Sequence, residues 1–146
     1  MAEPVLSIEE VREHIQDVPE ANHLLDGEEF SNTRITMAMN VAIDKYNMFT
    51  PRSATNIYTF PSKYVLLYGT LGVMFEMQSA LLARNTMSYS DGNIQIPIEE
   101  RMQLYQSLAQ MYNAGFESQT RSMKIQENIE GGWGGISSDY ASMPLW

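Results

Sequence analysis

The sequence predicts a mainly α-helical protein: a four-helix body with a long central helix, a short β-hairpin or extended segment near residues 89–96, and an extended C-terminal tail. Apolar residues recur at three- and four-residue spacing over three long stretches, which is the spacing of one helix face. Cap residues or prolines precede each stretch. The chain has 146 residues, 44% of them hydrophobic, and no cysteine, so we expect a packed core built without disulfides.

The first two helices are predicted from their cap residues. Ser7 and Glu10 have the spacing of a capping box, and a short helix is predicted from about Ile8 to Gln16. Ser31 is the next cap, and a second helix is predicted over about Asn32–Met48. Its apolar face consists of Ile35, Met39, Ala42, Ile43, Tyr46 and Phe49.

The third helix is predicted to run from Pro61 to about Asn85. Proline suits the first position of a helix, where its missing amide hydrogen leaves no bond unmade. Apolar side chains cover most of the circumference, so this helix is expected at the centre of the core. The apolar run Tyr64–Ala83 has the length of a membrane span, but it contains Glu76 and Gln78, and we interpret it as a buried helix.

Small residues in this central helix are candidate helix-packing positions. A neighbouring helix can approach closely where side chains are short, because less volume separates the two backbones. The candidates are Gly69, Gly72, Ala80 and Ala83.

A short extended segment and a fourth helix are predicted next. Polar and apolar residues alternate over Asn93–Ile96, as in a strand. Pro97 then opens a fourth helix with an apolar face that fades after Phe116. The mainly polar stretch from Glu117 to Glu130 is expected to extend this helix beyond the body of the fold.

A glycine-rich run divides the chain into two predicted parts. Four glycines in five residues disfavour helix, so we expect the helix to stop there and the run to act as a hinge. The hinge residues are Gly131, Gly132, Gly134 and Gly135. The predicted parts are a helical body, residues 1–130, and a glycine- and aromatic-rich docking tail, residues 131–146.

The tail carries large apolar side chains that a free terminus usually lacks. Burying one aromatic side chain contributes on the order of 1.5 to 3 kcal/mol, so a segment without a core of its own can be anchored by several of them. The predicted docking residues are Trp133, Tyr140, Leu145 and Trp146. The sequence leaves two docking surfaces open for these side chains, a partner protein and the helices of the same chain.

The net charge and the placement of the histidines argue against several classes of function. The net charge is −9, and residues 1–30 hold nine acids and one base, which argues against binding nucleic acid through a basic face. This acidic segment is interpreted as a solvated surface, with contact to a basic partner as the alternative. His14 and His23 have no partner at catalytic or metal-binding spacing. The sequence therefore predicts neither an enzyme nor a cofactor or metal site.

Several stretches resemble the head-to-tail connector (adaptor, or head-completion) proteins of tailed bacteriophages. The resemblance covers nearly the whole chain and is carried by SIEEVR at 7–12, LLDGEEFS at 24–31, YNMFTP at 46–51, ARNTMSYSDG at 83–92, NIEGGWGG at 128–135 and SDY at 138–140. It implies a helical subunit of a ring, a dodecamer in the family, with DNA passing through the lumen. It also implies a C-terminal segment that reaches into the portal, and no catalytic residues.

The expected function is therefore that of a structural virion protein. The resemblance implies partners in the portal protein, a downstream neck or tail protein and other copies of the chain, with non-specific passage of DNA and no membrane. The protein would be made in the host cytoplasm and reside in the virion neck. The alternative is a cytosolic helical, oligomeric binding module without catalytic activity.

Overall fold

The computed structural model describes residues 2–22, 27–88 and 95–135, with side chains described over residues 2–22, 27–85 and 100–131. The chain forms four helices, α1 (Ile8–Ile15), α2 (Asn32–Met48), α3 (Lys63–Ser88) and α4 (Gln95–Gly135), and no strand lies within these ranges. The prediction of a mainly helical, four-helix fold is confirmed. The longest helix is α4, whereas the central one is α3.

The first two helices begin where their caps were predicted. The Ser7 hydroxyl accepts a hydrogen bond from the Glu10 amide, and the Glu10 carboxylate accepts one from the Ser7 amide. Lys63 donates to the same carboxylate, and this hydrogen bond holds the pKa of Glu10 below its ordinary value. At the start of α2 the Ser31 hydroxyl accepts a hydrogen bond from the Arg34 amide and so caps that helix.

The third helix begins two residues later than predicted. Ser62 provides the cap, since its hydroxyl accepts from the Val65 amide and its carbonyl accepts from the Leu66 amide. Pro61 therefore precedes the helix instead of opening it. A proline directly before a capping serine is compatible with the fixed φ of the ring, so both residues mark the same boundary.

The core is built around α3. Leu66, Leu71 and Met74 are completely buried between α2 on one side and α4 on the other. The Phe75 ring meets Phe30 edge-on and stacks on two tyrosine rings of α4. Lys63–Asn85 is long and apolar enough to cross a membrane, but 61% of its apolar window is buried inside the protein. Its hydropathy is thus that of a core helix, as the sequence predicted.

Glycines in α3 allow close approach of the neighbouring helices. A Cβ atom at Gly69 would lie 2.7 Å from the Phe116 ring and 2.9 Å from the Ala42 Cβ, and a Cβ at Gly72 would overlap the side chain of Asn113. Ala80 is exposed and Ala83 is half-buried. These two alanines line a groove between α3 and α4 that also includes Gln106, Ala109 and Gln110.

Two predictions about α4 are wrong. Gln95 and Ile96, expected in an extended segment, lie in its first turn, while residues 89–94 of the predicted hairpin lie outside the described residues. Pro97 is tolerated in that turn because the first amides of a helix have no intrahelical partner. The helix also continues through the glycine run to Gly135.

The predicted helix stop before Gly131 is therefore incorrect, and so is the assignment of residues 131–135 to an extended tail. Each glycine disfavours helix by about 1 kcal/mol relative to alanine, but an established helix gains one hydrogen bond for every residue it adds. The same four residues, Gly131, Gly132, Gly134 and Gly135, form the last turn of α4.

Candidate interaction surface

The C-terminal part of α4 projects from the helical body. At 41 residues α4 is about 60 Å long, whereas the 26 residues of α3 span about 40 Å. Every residue from Ile125 to Gly131 is exposed. Ile125 is 61% exposed and Ile129 is 53% exposed, and the two lie on one face because they are four residues apart.

Lys124 fixes the base of this projection. Its side chain is 1% exposed, and its Nζ donates to the Pro51 carbonyl at 2.9 Å and to the Ser53 hydroxyl at 2.6 Å. The same ammonium lies over the Tyr46 ring, 4.1 Å from its centroid. The base of the projection is thus attached both to α2 and to the loop that follows it.

Glu127 completes the contact one turn further along α4. Its carboxylate accepts a hydrogen bond from the Tyr46 hydroxyl at 2.6 Å and lies 3.7 Å from Lys124 Nζ. Burial and the neighbouring carboxylate both raise the pKa of Tyr46 far above its ordinary value. The hydroxyl therefore remains a donor over the whole physiological range. Tyr46, Lys124 and Glu127 together are called the α4 anchor below.

Sequence reasoning missed the α4 anchor. A lysine in a polar stretch is usually solvated, and Lys124 was assigned no role. The available signal is its register: Phe116, Thr120 and Lys124 follow one another at four-residue steps, and all three are buried. The core-facing stripe of α4 thus extends two turns beyond Phe116, where the apolar pattern fades.

The loop between α2 and α3 is held in place to receive Lys124. Asn47 accepts hydrogen bonds from the Ser53 hydroxyl and from the amide and hydroxyl of Thr55, and it donates to the Thr55 carbonyl. One amide side chain thus holds the first half of this loop against the end of α2. The Pro51 carbonyl and the Ser53 hydroxyl, which accept from Lys124, belong to that half.

The outward face of α4 carries a long surface without charge. No charged residue occurs between Arg101 and Glu117, which is about four turns of helix. Leu104 is 59% exposed and Met111 is 55% exposed on the side turned away from α3. Exposed, uncharged helix faces of this length are typical of contact surfaces.

A second outward face lies on α2. Its exposed positions at helical spacing are Thr33, Met37, Asn40, Asp44 and Met48. The two methionines are among the most exposed large apolar residues described, and Asp44 is the one charge of the stripe. These faces of α2 and α4 are called the α2 outer face and the α4 outer face.

The acidic N-terminal segment is partly structural. Arg12, its one base, is buried and pairs with Asp17 at 3.0 Å and with Glu28 at 3.1 Å. Asp17 also accepts hydrogen bonds from the amides of Glu29 and Phe30. Most of the other described acids of this segment are exposed, alongside the buried ion pair that holds the loop before α2.

Glu29 connects this loop to both long helices. Its carboxylate accepts hydrogen bonds from Gln78 of α3 at 3.0 Å and from the Tyr105 hydroxyl of α4 at 2.5 Å. Burial and this carboxylate raise the pKa of Tyr105. The start of α2 is thereby fixed beside the N-terminal half of α4.

The described part of the chain also contains open grooves and clusters of polar side chains. One groove of about 730 Å³ opens to solvent between the end of α2 and the middle of α4, with Lys45, Glu76 and Glu117 on its wall. Among the described residues no group of three histidine, aspartate or glutamate side chains is arranged to hold a metal ion. His14 is exposed, and His23 lies outside the described residues.

The predicted docking residues are distributed over α4 and the segment that follows it. Trp133 belongs to the last turn of α4, four positions after Ile129. Tyr140, Leu145 and Trp146 lie outside the described residues. No family model, curated protein or solved structure matches the chain.

Proposed function

We propose that this chain is a non-enzymatic virion protein, a head-to-tail connector ring subunit that joins the portal of a tailed bacteriophage to its neck or tail. The observation that carries the proposal is the projection of α4. An exposed helix end with Ile125 and Ile129 on one face leads directly into the aromatic C-terminal residues. Such an element is suited to insertion between subunits of a partner.

In this proposal the projecting helix and the residues after it dock on the portal. Trp133, Tyr140, Leu145 and Trp146 supply the apolar area, and large rings of this kind dominate the binding energy of many interfaces. The α4 anchor keeps the helix directed away from the body. The entropic cost of docking is lower for a helix that is already formed and positioned.

The net charge fits passage of DNA through a ring lumen. A charge of −9 gives the chain little attraction for phosphates, and every basic contact with DNA would add resistance to movement. The described bases are few, and Arg12 and Lys124 are buried in pairs with carboxylates. The protein would be made in the host cytoplasm and reside in the virion neck, in a ring that the resemblance implies to be a dodecamer.

The alternative is a cytosolic helical binding module that oligomerises without a portal. The exposed methionines of the α2 outer face favour some protein contact, and they do not by themselves name the partner. The two functions differ in the mass of the assembled protein and in its response to a portal ring.

The test uses the full-length chain and the portal protein encoded in the same genome. Mass measurement in solution should show a complex of this chain with the portal ring. Deletion of residues 131–146 should abolish the complex and leave the circular dichroism of the helical body intact. Tyr58→Ala, which removes an exposed ring from the body, is the matched control and should bind normally. A stable dimer that ignores the portal would overturn the proposal.

A further inference from the structure

The groove between the end of α2 and the middle of α4 is mostly apolar, and it is called the α2–α4 groove below. Met48 is 72% exposed on its wall, Phe49 is half-buried beside it, and Phe116 lies at its base. Its volume of about 730 Å³ lies within the roughly 300–1,000 Å³ of sites that enclose a small ligand. A groove of this size can take large apolar side chains.

The charged side chains of the α2–α4 groove mostly offset one another. Lys45 Nζ lies 4.0 Å from one carboxylate oxygen of Glu76, and the Asn113 amide donates a hydrogen bond to the other oxygen. Glu117 is the remaining charge on the wall. A wall on which opposite charges already pair, beside an exposed methionine, favours an apolar occupant over an ion.

The glycine-rich end of α4 lies above the α2–α4 groove. Positions eighteen residues apart on a helix are separated by about five complete turns and share one face. Gly131 therefore lies directly above Asn113, about 27 Å along the helix axis. Gly135 lies above Glu117 in the same way. Glycine at the end of a helix allows the backbone to reverse direction, so the chain leaves α4 on the face that leads back to the groove.

Residues 136–146 are long enough to return to the groove. They lie outside the described residues, and eleven residues of extended chain span at most about 36–40 Å. Because Lys124 binds the loop directly after α2, Met48 lies near the level of that lysine, about 20 Å from Gly135. Met143 is eight residues beyond Gly135 and can therefore lie beside Met48. The three residues after it can continue deeper into the groove.

The composition of this segment matches the groove. Residues 143–146 are Met, Pro, Leu and Trp, and Asp139 is the one charged residue after Glu130. Leucine and tryptophan side chains gain much from leaving water. A tether of eleven residues holds the segment at an effective concentration in the millimolar range, far above that of a second copy in dilute solution. The segment of the same chain is therefore the favoured occupant.

We propose that residues 143–146 dock in the α2–α4 groove of their own chain in the free subunit. Met143 lies beside Met48, and the Leu145 and Trp146 side chains lie deeper in the groove. The same residues cannot dock on a portal at the same time. Portal docking therefore requires release of the segment, a competition that rests on the proposed function, whereas the groove contact itself does not.

The first test is disulfide crosslinking in a chain without cysteine. Met48→Cys/Met143→Cys keeps the Leu145 and Trp146 side chains and should form an intramolecular disulfide under a mild oxidant at low protein concentration. The readout is loss of free thiol in a monomer. Met48→Cys/Ser137→Cys is the control and should keep its thiols free, because Ser137 is two residues from Gly135 and cannot reach Met48.

The second test follows Trp146 by fluorescence. Trp133→Phe leaves Trp146 as the only tryptophan, and its emission should lie at shorter wavelength in the folded chain than in urea. Adding Met48→Asp, which places a carboxylate on the groove wall, should remove that shift. Met37→Asp, the same change at an exposed methionine of the α2 outer face, should leave it in place. Both methionines are exposed, so circular dichroism should be unchanged in either variant.

The third test measures the competition with the portal ring. If about nine of ten free subunits hold the segment in the groove, Met48→Asp should tighten portal binding by about tenfold. Met37→Asp should bind like the original chain. Unchanged binding of Met48→Asp, in a chain that does form the crosslink, would overturn the competition alone.

Each outcome separates this inference from the proposed function. Free thiols in Met48→Cys/Met143→Cys, or an unshifted Trp146 emission, would overturn the inference and leave the connector function standing wherever the portal complex still forms. Covalent dimers would show that the segment docks on a second copy and would also overturn the inference. A crosslinked monomer that ignores the portal would support groove docking and overturn the connector function.

Discussion

Lys124 Nζ lies 4.1 Å from the centroid of the Tyr46 ring. The same nitrogen donates a hydrogen bond to the Pro51 carbonyl oxygen at 2.9 Å. This relationship joins the polar half of α4 to α2 and explains why α4 leaves the body at a fixed place. A buried ammonium is tolerated there because oxygens, a carboxylate and a ring face replace its water.

We expect Lys124→Met to lower the free energy of unfolding by about 2–3 kcal/mol. The substitution keeps the length of the side chain but leaves the buried partners of the ammonium without a donor. Urea denaturation measures the change. Lys45→Met is the control, since Lys45 is 40% exposed and should cost less than about 0.5 kcal/mol. Equal effects of the two substitutions would contradict the role of the α4 anchor.

We expect Gly69→Ala to destabilise the protein by about 1–3 kcal/mol. The new Cβ would lie 2.7 Å from the Phe116 ring and 2.9 Å from the Ala42 Cβ, so α2 and α4 would have to move apart. In contrast, Gly131→Ala meets nothing within 4 Å and should stabilise α4 by up to about 1 kcal/mol. Thermal denaturation followed by circular dichroism distinguishes the two. A neutral Gly69→Ala would show that the helices are not in contact there.

We expect Asp17→Asn to cost about 3 kcal/mol. The change removes the charge that faces buried Arg12. An amide has one acceptor oxygen in place of two, so its NH2 group would face N–H donors that a carboxylate oxygen now accepts from. The measurement is again the free energy of unfolding in urea. Glu20→Gln, at an exposed position of the same acidic segment, is the control and should be nearly neutral. A small effect at Asp17 would mean that the loop before α2 is held by other contacts.

We expect stability to fall as the pH rises above about 10, in part because of Tyr46. Its pKa is raised in the folded state by burial and by Glu127, so the unfolded chain loses the phenolic proton at a lower pH. The contribution is complete below the ordinary pKa of 10.0 and disappears as the pH climbs beyond it. The loss of unfolding free energy between pH 8 and pH 11 should be smaller for Tyr46→Phe than for the exposed control Tyr58→Phe. Identical losses would contradict the assignment.

The helices could be predicted where a local signal exists. The Ser7 capping box and the Ser31 cap depend on side chains three residues apart, and both helices begin as predicted. The predicted helix boundaries that were wrong lie where the conformational preference of single residues competes with propagation of an existing helix. Glycines at 131–135 disfavour helix, yet the helix that reaches them from Glu130 continues to Gly135.

The contacts that define the candidate surface were beyond the reach of the sequence. Arg12, Lys124 and Glu29 enter the sequence analysis only through the net charge, because nothing in their spacing names partners that lie 5 to 76 residues away. The docking role of Tyr140, Leu145 and Trp146 remains a prediction made from composition.

By itself the sequence determined a mainly helical chain, the start of two helices, the central position of the apolar third helix and an acidic net charge. These properties follow from periodicity, caps and composition, which act between residues close together in the chain. The tertiary structure alone decided which charges are buried, how far α4 projects and which faces of α2 and α4 remain open. Those properties arise from packing between distant segments, and packing energy depends on complementary shape that no local pattern contains.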